Sequence, residues 1–211
     1  QWLSGSTDAI GWGCNNAMQA FFAWSTMVGE TNWGNATYAS YDLVREYDPQ
    51  DRIRRHNTIC TVGEYYSELN SKNGGYTYNV TESGYDNKCN IKKHVIGKID
   101  DNGQSYQQSS GVNTYMMRLA EVYLNLAEAI LGNNASTTDE TALDYFNKVR
   151  IRAGMPELKS ITYENLRYER RIEFALEGLY WYDLLRRSYY QQQEVVNYLN
   201  NQERNAGYEW D

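Results

Sequence analysis

The sequence predicts a mainly α protein, with antiparallel helical hairpins packed against an irregular, loop-rich region that holds short β-hairpins. Three observations carry that expectation. Residues 115–131, YMMRLAEVYLNLAEAIL, repeat apolar side chains at helical spacing, at 115, 119, 122, 123, 126 and 130, with a second row at 116, 120, 124, 127 and 131. A polar turn, GNNAST (132–137), leads into DETALDYFNKVRIRA, so two helices run antiparallel. The chain also changes character near residue 113, with turn-rich material ahead of it and helix behind.

Taken in order, residues 1–44 contain no Lys or Arg and are rich in Gly and Asn. They read as loop with one or two short helices. Leu43–Tyr47 reads as a helical turn stopped by Pro49. From 58 to 110 the pattern is strand and turn: KNGGY (72–76) and DDNGQ (100–104) are turn signals, YTYNV alternates, and IKKHVIGKI (91–99) reads as a short strand. The helix at 115–131 is apolar on most of its circumference, with Arg118, Glu121, Asn125 and Glu128 as one polar stripe. Such a helix packs between neighbours. Thr137 followed by Glu140 predicts a capping box for the return helix, and Gly154 its C-terminal cap. A third helix is expected from Thr162 as N-cap to about Arg187 or Tyr190, running straight through Gly178. The expected organisation is 1–113 loop-rich and ligand-binding, 114–190 helical, and 191–211 a C-terminal tail.

The 211 residues are 41% hydrophobic and 22% charged, a globular composition, with a net charge of −7. That balance argues against a nucleic-acid partner, which needs clustered Lys and Arg. Cys14, Cys60 and Cys89 show no CxxC, and neither His56 nor His94 has metal-ligand spacing, so no metal and no cofactor are expected. One disulfide and a free thiol, or three buried thiols, account for the cysteines; the second is the simpler reading.

The long helix, turn and return helix, with small residues at Ala120, Ala127 and Ala129, resemble a tetratricopeptide hairpin. Such repeats bury their faces by stacking and need about three or more. About one and a half are present, so the chain is expected to be part of a longer one. At RLAEVYLNLAEAIL, ALDYFNKVRIRAG and ITYENLRYERRIEFALEGLYWYDLLRR, and more weakly at YDPQDRIRR and KKHVIGK, the chain resembles the SusD/RagB family. The resemblance implies a SusD-like fold and a non-enzymatic lipoprotein on the extracellular face of the outer membrane. It implies capture of oligosaccharides or a starch-like polysaccharide, or peptides in some members, and a SusC-like TonB-dependent transporter barrel as partner. The family's lipidated cysteine would lie upstream of Gln1, so membrane contact would be through an anchor absent from these residues. Residues 188–211 lack the family's Pro-rich tail.

The chemistry of the aromatic residues fits such a ligand. The chain has 20 Tyr and 6 Trp but only 4 Phe, and four of those Trp lie at 2, 12, 24 and 33. A sugar ring offers a C–H face to the negative face of an indole or phenol, and planar amides fix its hydroxyls. Trp12, Trp33, Tyr38 and Tyr41 are the candidate stacking platforms and Asn35 the edge donor; Trp24, beside Phe21 and Phe22, reads as core. Glu169, Glu173 and Glu177 recur at four-residue spacing, where like charges repel by about 0.2–0.5 kcal/mol per pair. They read as a structural ion network with Arg118, Glu121 and Arg186, and with Arg150, Arg152 and Arg170 as further cations. No catalytic residue is assigned. A carboxylate pair among Glu30, Asp42, Asp48, Asp51 and Glu64 would be needed for a glycoside hydrolase, and no motif marks one. DPQDRIRR reads as a salt-bridged turn rather than a calcium loop. The alternative from another class is a helical-repeat module that binds a peptide or protein.

Overall fold

The structure, a computed structural model, describes residues 25–28, 38–79, 89–96, 100, 102 and 115–203. The chain is mainly α, as its periodicity predicts, and forms two compact units. The first comprises residues 1–44, 56–114 and 203–211; the second comprises 45–55 and 115–202.

In the first unit the helical turn α1 (Ser25–Val28) buries Met27 and Val28. Strand β1 (Tyr38–Ala39) leads to α2 (Tyr41–Glu46) and α3 (Arg52–Thr58), both of which cross into the second unit. Strands β2 (Ile59–Cys60), β3 (Tyr65–Tyr66), β4 (Tyr76–Thr77) and β5 (Cys89–Ile91) follow. One antiparallel sheet has the order β1-β5-β2, with Tyr38 opposite Asn90 and Ile59 opposite Ile91. β3 and β4 form a hairpin, Tyr66 opposite Tyr76. Gly74 and Gly75 turn it at φ +91° and +85°. A Cβ at Gly75 would also collide with the Tyr65 ring, whose hydroxyl donates to the Gly74 carbonyl at 2.9 Å. The strand expected over 91–99 ends at Ile91, where Lys93 and His94 turn and His94 takes φ +68°.

This unit's core is rich in tyrosine: Tyr66, Tyr76 and Tyr78 pack with Met27, Val28, Cys60 and Leu69. Burying a phenol requires a partner for its hydroxyl. Tyr66 Oη accepts from the Thr61 N–H at 2.8 Å, and Tyr78 Oη donates to buried Asn90 Oδ1 at 3.0 Å. Cys60 and Cys89 are buried, and Cys14 lies outside the described residues. Burial holds the Cys60 thiol protonated, pushing its pKa well up.

The second unit is built from α4 (Leu119–Leu131), α5 (Glu140–Arg152), α6 (Tyr163–Glu173), α7 (Tyr180–Ser188) and α8 (Gln192–Asn201). α4 and α5 form the expected hairpin, closed by β6 (Ser136–Thr137) pairing β7 (Ile161–Thr162). Ala120, Leu124, Ala127 and Leu131 of α4 meet Ala142, Phe146 and Val149 of α5, with Ile161, Leu166 and Phe174 completing the core. The alanines let the helix axes approach.

Three local expectations need correction. α4 starts at Leu119 rather than 115, because Arg118 is extended (φ −136°, ψ 162°). The α5 cap is Asp139, whose carboxylate accepts from the Ala142 N–H at 2.9 Å; Thr137 instead accepts from the Asp139 N–H. The single helix expected from 163 to about 187 is two helices, broken between Glu173 and Tyr180. Leu176 (φ +64°) and Gly178 (φ +84°) take left-handed backbone there, and the chain turns. Two of the expected helix ends are as read. Thr162 caps α6 in a reciprocal box with Asn165, and Gly154 (φ +73°) follows α5 while the Met155 N–H returns to the Arg150 carbonyl.

In the sequence Gly178 shares a helix face with Phe174 and Trp181, where a missing side chain would let a neighbouring element approach or make room for a ring. A Cβ there would meet nothing within 4 Å, so its role is backbone conformation. We expect Gly178→Ala to destabilise the protein by about 1–2 kcal/mol through left-handed strain alone, measured as a fall in the urea midpoint at unchanged slope.

Candidate functional site

Of the aromatic set, Trp12, Trp33 and Asn35 lie outside the described residues, as does Trp24. Tyr38 and Tyr41 are described. Tyr38 sits half-buried on edge strand β1, facing Asn90 across the ladder, and Tyr41 is the half-buried first residue of α2. The Asp42 N–H donates to the Glu203 carbonyl at 3.2 Å. Two tyrosines three residues apart are thus held at the end of a small sheet whose centre, Asn90, is buried and bonded by Tyr78.

Beside this sheet lies a polar cluster that the sequence reading missed. His56 stacks on Tyr66 with ring centroids 4.6 Å apart. Its Nδ1 is 2.6 Å from Glu64 Oε1 and its Nε2 is 3.1 Å from Glu68 Oε1. Thr61 also bonds Glu64, and Lys92 pairs with Glu68 at 2.5 Å. Burial alone would raise the Glu68 pKa, but the Lys92 ammonium outweighs it and holds the carboxyl at about 2.

The acids at 169, 173 and 177 occupy the second unit. Glu169 is buried, with Oε1 receiving Arg54 at 2.5 Å and Oε2 receiving Arg150 at 2.8 Å. Arg54 also pairs with buried Asp51 and reaches Glu173 at 3.5 Å. Glu173 receives Arg118 at 2.6 Å and Arg152. Glu177 lies beyond the end of α6, in the turn, and takes Arg118 as a fork at 2.8 and 2.9 Å. Four carboxylates (Asp51, Glu169, Glu173, Glu177) therefore meet four guanidiniums (Arg54, Arg118, Arg150, Arg152), so the charge balances. Burial would lower the Arg54 pKa; Asp51 and Glu169 override it and raise it. Burial would likewise raise that of Glu173, but Arg118, Arg152 and Arg54 bring it below the usual carboxylate range.

Two members of the expected set lie elsewhere. Arg186 pairs with Glu128 at 3.1 Å and Asp183 at 3.1 Å, where Arg170 also binds Asp183. Glu121 stands on the first turn of α4 and makes no ion pair among the described residues. Arg54 was absent from the expected set. Its only sequence signal is the i,i+3 spacing with Asp51 inside DRIRR, and its second partner is 115 residues away.

A shallow, solvent-open cleft lies over α6 and α7, lined by Tyr163, Leu166, Tyr180, Leu184 and four arginines. Those cations are paired internally: Arg167 with Glu164, Arg170 with Asp183, Arg186 with Glu128, and Arg187 with Glu164 at 3.8 Å. Of the carboxylates weighed for hydrolysis, Asp51 is clamped by Arg54, Asp48 accepts from the Gln50 N–H, and Glu64 is held by His56 and Thr61. Glu30 lies outside the described residues. No group of three or more metal-ligating side chains occurs among the described residues.

With this geometry in view, comparison with known proteins defines the class. The model of the SusD family matches residues 4–211, and the chain belongs to that family. A SusD-like protein of Bacteroides ovatus is 42% identical over 199 residues, covering 93% of this chain and 35% of its own length. A crystal structure with xylogluco-oligosaccharide is 38% identical with a TM-score of 0.84, over 93% of this chain and 40% of that one. A laminarin-binding SusD-like protein shares the fold at 21% identity, with a TM-score of 0.58 over 92% of this chain and 40% of that one. The chain thus spans little more than a third of the length of these relatives.

The depressed carboxyls set an acid limit. Their folded pKa lies below the ordinary 4.5, so their contribution is complete above that value and lost as pH falls through the folded pKa. We expect the urea midpoint to hold down to about pH 5 and then drop. Glu173→Gln should lower it at pH 7 and flatten the decline below pH 4.5, in a pH series of urea melts.

Proposed function

We propose that this chain forms the glycan-contacting part of a SusD-type surface protein that captures oligosaccharides and hands them to a TonB-dependent outer-membrane transporter. The observation that carries the reading is the crystal structure with xylogluco-oligosaccharide, which matches 93% of this chain at 38% identity. The residues proposed for contact are Trp12, Trp33, Tyr38 and Tyr41 as stacking platforms, with Asn35 bonding hydroxyls at the ring edge. Their chemistry supports the assignment: the first 44 residues hold flat aromatic faces and amides but no cation, which suits a neutral polyol. An oligosaccharide with a β-linked glucan backbone is the first ligand to try. Attachment to the extracellular face of the outer membrane belongs to the same proposal, through a lipid anchor outside these residues. No helix among the described residues is long and apolar enough to cross a membrane.

Affinity electrophoresis against a polysaccharide panel that includes xyloglucan tests the reading. The protein should be retarded by at least one neutral glycan. Trp33→Ala should weaken that binding about tenfold, the loss of roughly one stacked ring at 1.4 kcal/mol per decade. If no glycan retards the protein, the reading fails. Release of reducing sugar would replace it with a hydrolase.

A further inference from the structure

The β3–β4 hairpin has two unlike faces. Inward, Tyr66, Tyr76 and Tyr78 fill the core of the first unit. Outward stands Tyr65, 54% exposed, with Thr77 directly across the ladder and Asn79 two residues further on, both exposed. A tyrosine on a surface normally keeps its rotamer freedom. This one is fixed at its hydroxyl end. Its Oη donates to the Gly74 carbonyl at 2.9 Å. The same end lies over Gly75, where a Cβ would come within 2.6 and 2.7 Å of Cε2 and Cζ. The turn beneath the ring is itself anchored. Asp100 accepts from the Asn70 and Ser71 N–H groups at 2.9 and 2.8 Å, and the Gly75 N–H returns to the Asn70 carbonyl at 3.2 Å. The ring is therefore ordered before any ligand arrives, which removes part of the entropy cost of binding.

We infer that Tyr65 is a further sugar-stacking platform, in addition to the aromatic residues at 12, 33, 38 and 41, and that it takes one pyranose ring of a neutral glycan. The inference rests on the glycan reading and adds a contact to it. An exposed phenol ring offers its negative face to the C–H face of a sugar. Thr77 and Asn79 on the same face carry a hydroxyl and an amide, the groups that orient sugar hydroxyls. Asn73 in the turn adds a second amide, ordered by its bond to Asn70 at 2.8 Å. An apolar partner would find no aliphatic side chain among these residues. An anionic one would find a single cation in the turn 71–75, Lys72. A polyol matches both the ring and its neutral polar surroundings.

Two measurements with xyloglucan oligosaccharides test it. In amide NMR of the unaltered chain, the signals of Gly74, Gly75 and Thr77 should shift and saturate as oligosaccharide is added. In calorimetric titrations Tyr65→Ala should bind about three- to tenfold more weakly than the unaltered chain. Tyr65→Phe keeps the ring and should bind within about twofold of it. The NMR measurement needs no variant, so it stands even if Tyr65→Ala does not fold. Unmoved signals at residues 74, 75 and 77 while the oligosaccharide binds overturn the platform and leave the contacts in the first 44 residues standing. So does a Tyr65→Ala variant that binds as tightly as the unaltered chain. A Tyr65→Phe loss as large as that of Tyr65→Ala also overturns it, since the hydroxyl's hold on the turn, rather than the ring, would then matter. A chain that binds no neutral glycan at all overturns this inference and the glycan reading together.

Discussion

The helical unit is organised around the buried contact between Arg54 and Glu169. Removing either ion from water costs several kcal/mol, and attraction offsets this only if the remaining donors and acceptors are also met. Glu169 meets the requirement by using both oxygens, one for Arg54 and one for Arg150. Arg54 meets it by adding Asp51 and Glu173. Each added partner brings its own charge to satisfy, and Arg118 and Arg152 close the set. Residues 45–55 therefore belong with the helices, although strand and turn material separates them in sequence. The same requirement explains α6, whose polar residues Glu169, Arg170, Arg171 and Glu173 are buried beside Leu166 and Ile172.

Phe174 shows how charge and apolar packing meet. It is buried in the helical core, and the guanidiniums of Arg118 and Arg170 lie 4.6 and 5.3 Å from its ring. The ring face partly replaces the water those cations lose. Arg118 also donates to the Glu173 carbonyl, which lies at the C-terminal end of α6. A cation at that position offsets the partial negative charge of the helix terminus. The ion network thus secures the end of α6 where the backbone turns through Leu176 and Gly178.

Features governed by local period or local capping were legible in the sequence. The α4–α5 hairpin, the Thr162 cap and Gly154 all depend on residues within a turn of one another. The break after Glu173 was not legible, because the apolar period of FALEGLYWYDLL continues across it and masks two left-handed residues. The tyrosine core of the first unit was not legible either. Tyr and Trp suggest wet surfaces, yet Tyr66 and Tyr78 are core residues whose hydroxyls bond to Thr61 and Asn90. The partnership of Arg54 with Glu169 spans 115 residues and leaves no trace in any window of sequence. Of the sugar-binding residues read from the sequence, only Tyr38 and Tyr41 are described, and both belong to this same tyrosine-cored unit.

A double-mutant cycle on Arg54 and Glu169 tests most directly whether the buried ion pair organises the helical unit. Arg54→Met and Glu169→Leu should each cost about 3–5 kcal/mol in urea melts at pH 7, because each strands a buried opposite charge. The double variant should be less destabilised than the sum by about 2 kcal/mol or more, since it strands less. Singles that cost under about 1 kcal/mol, or a cycle that is additive within about 0.5 kcal/mol, would contradict the account.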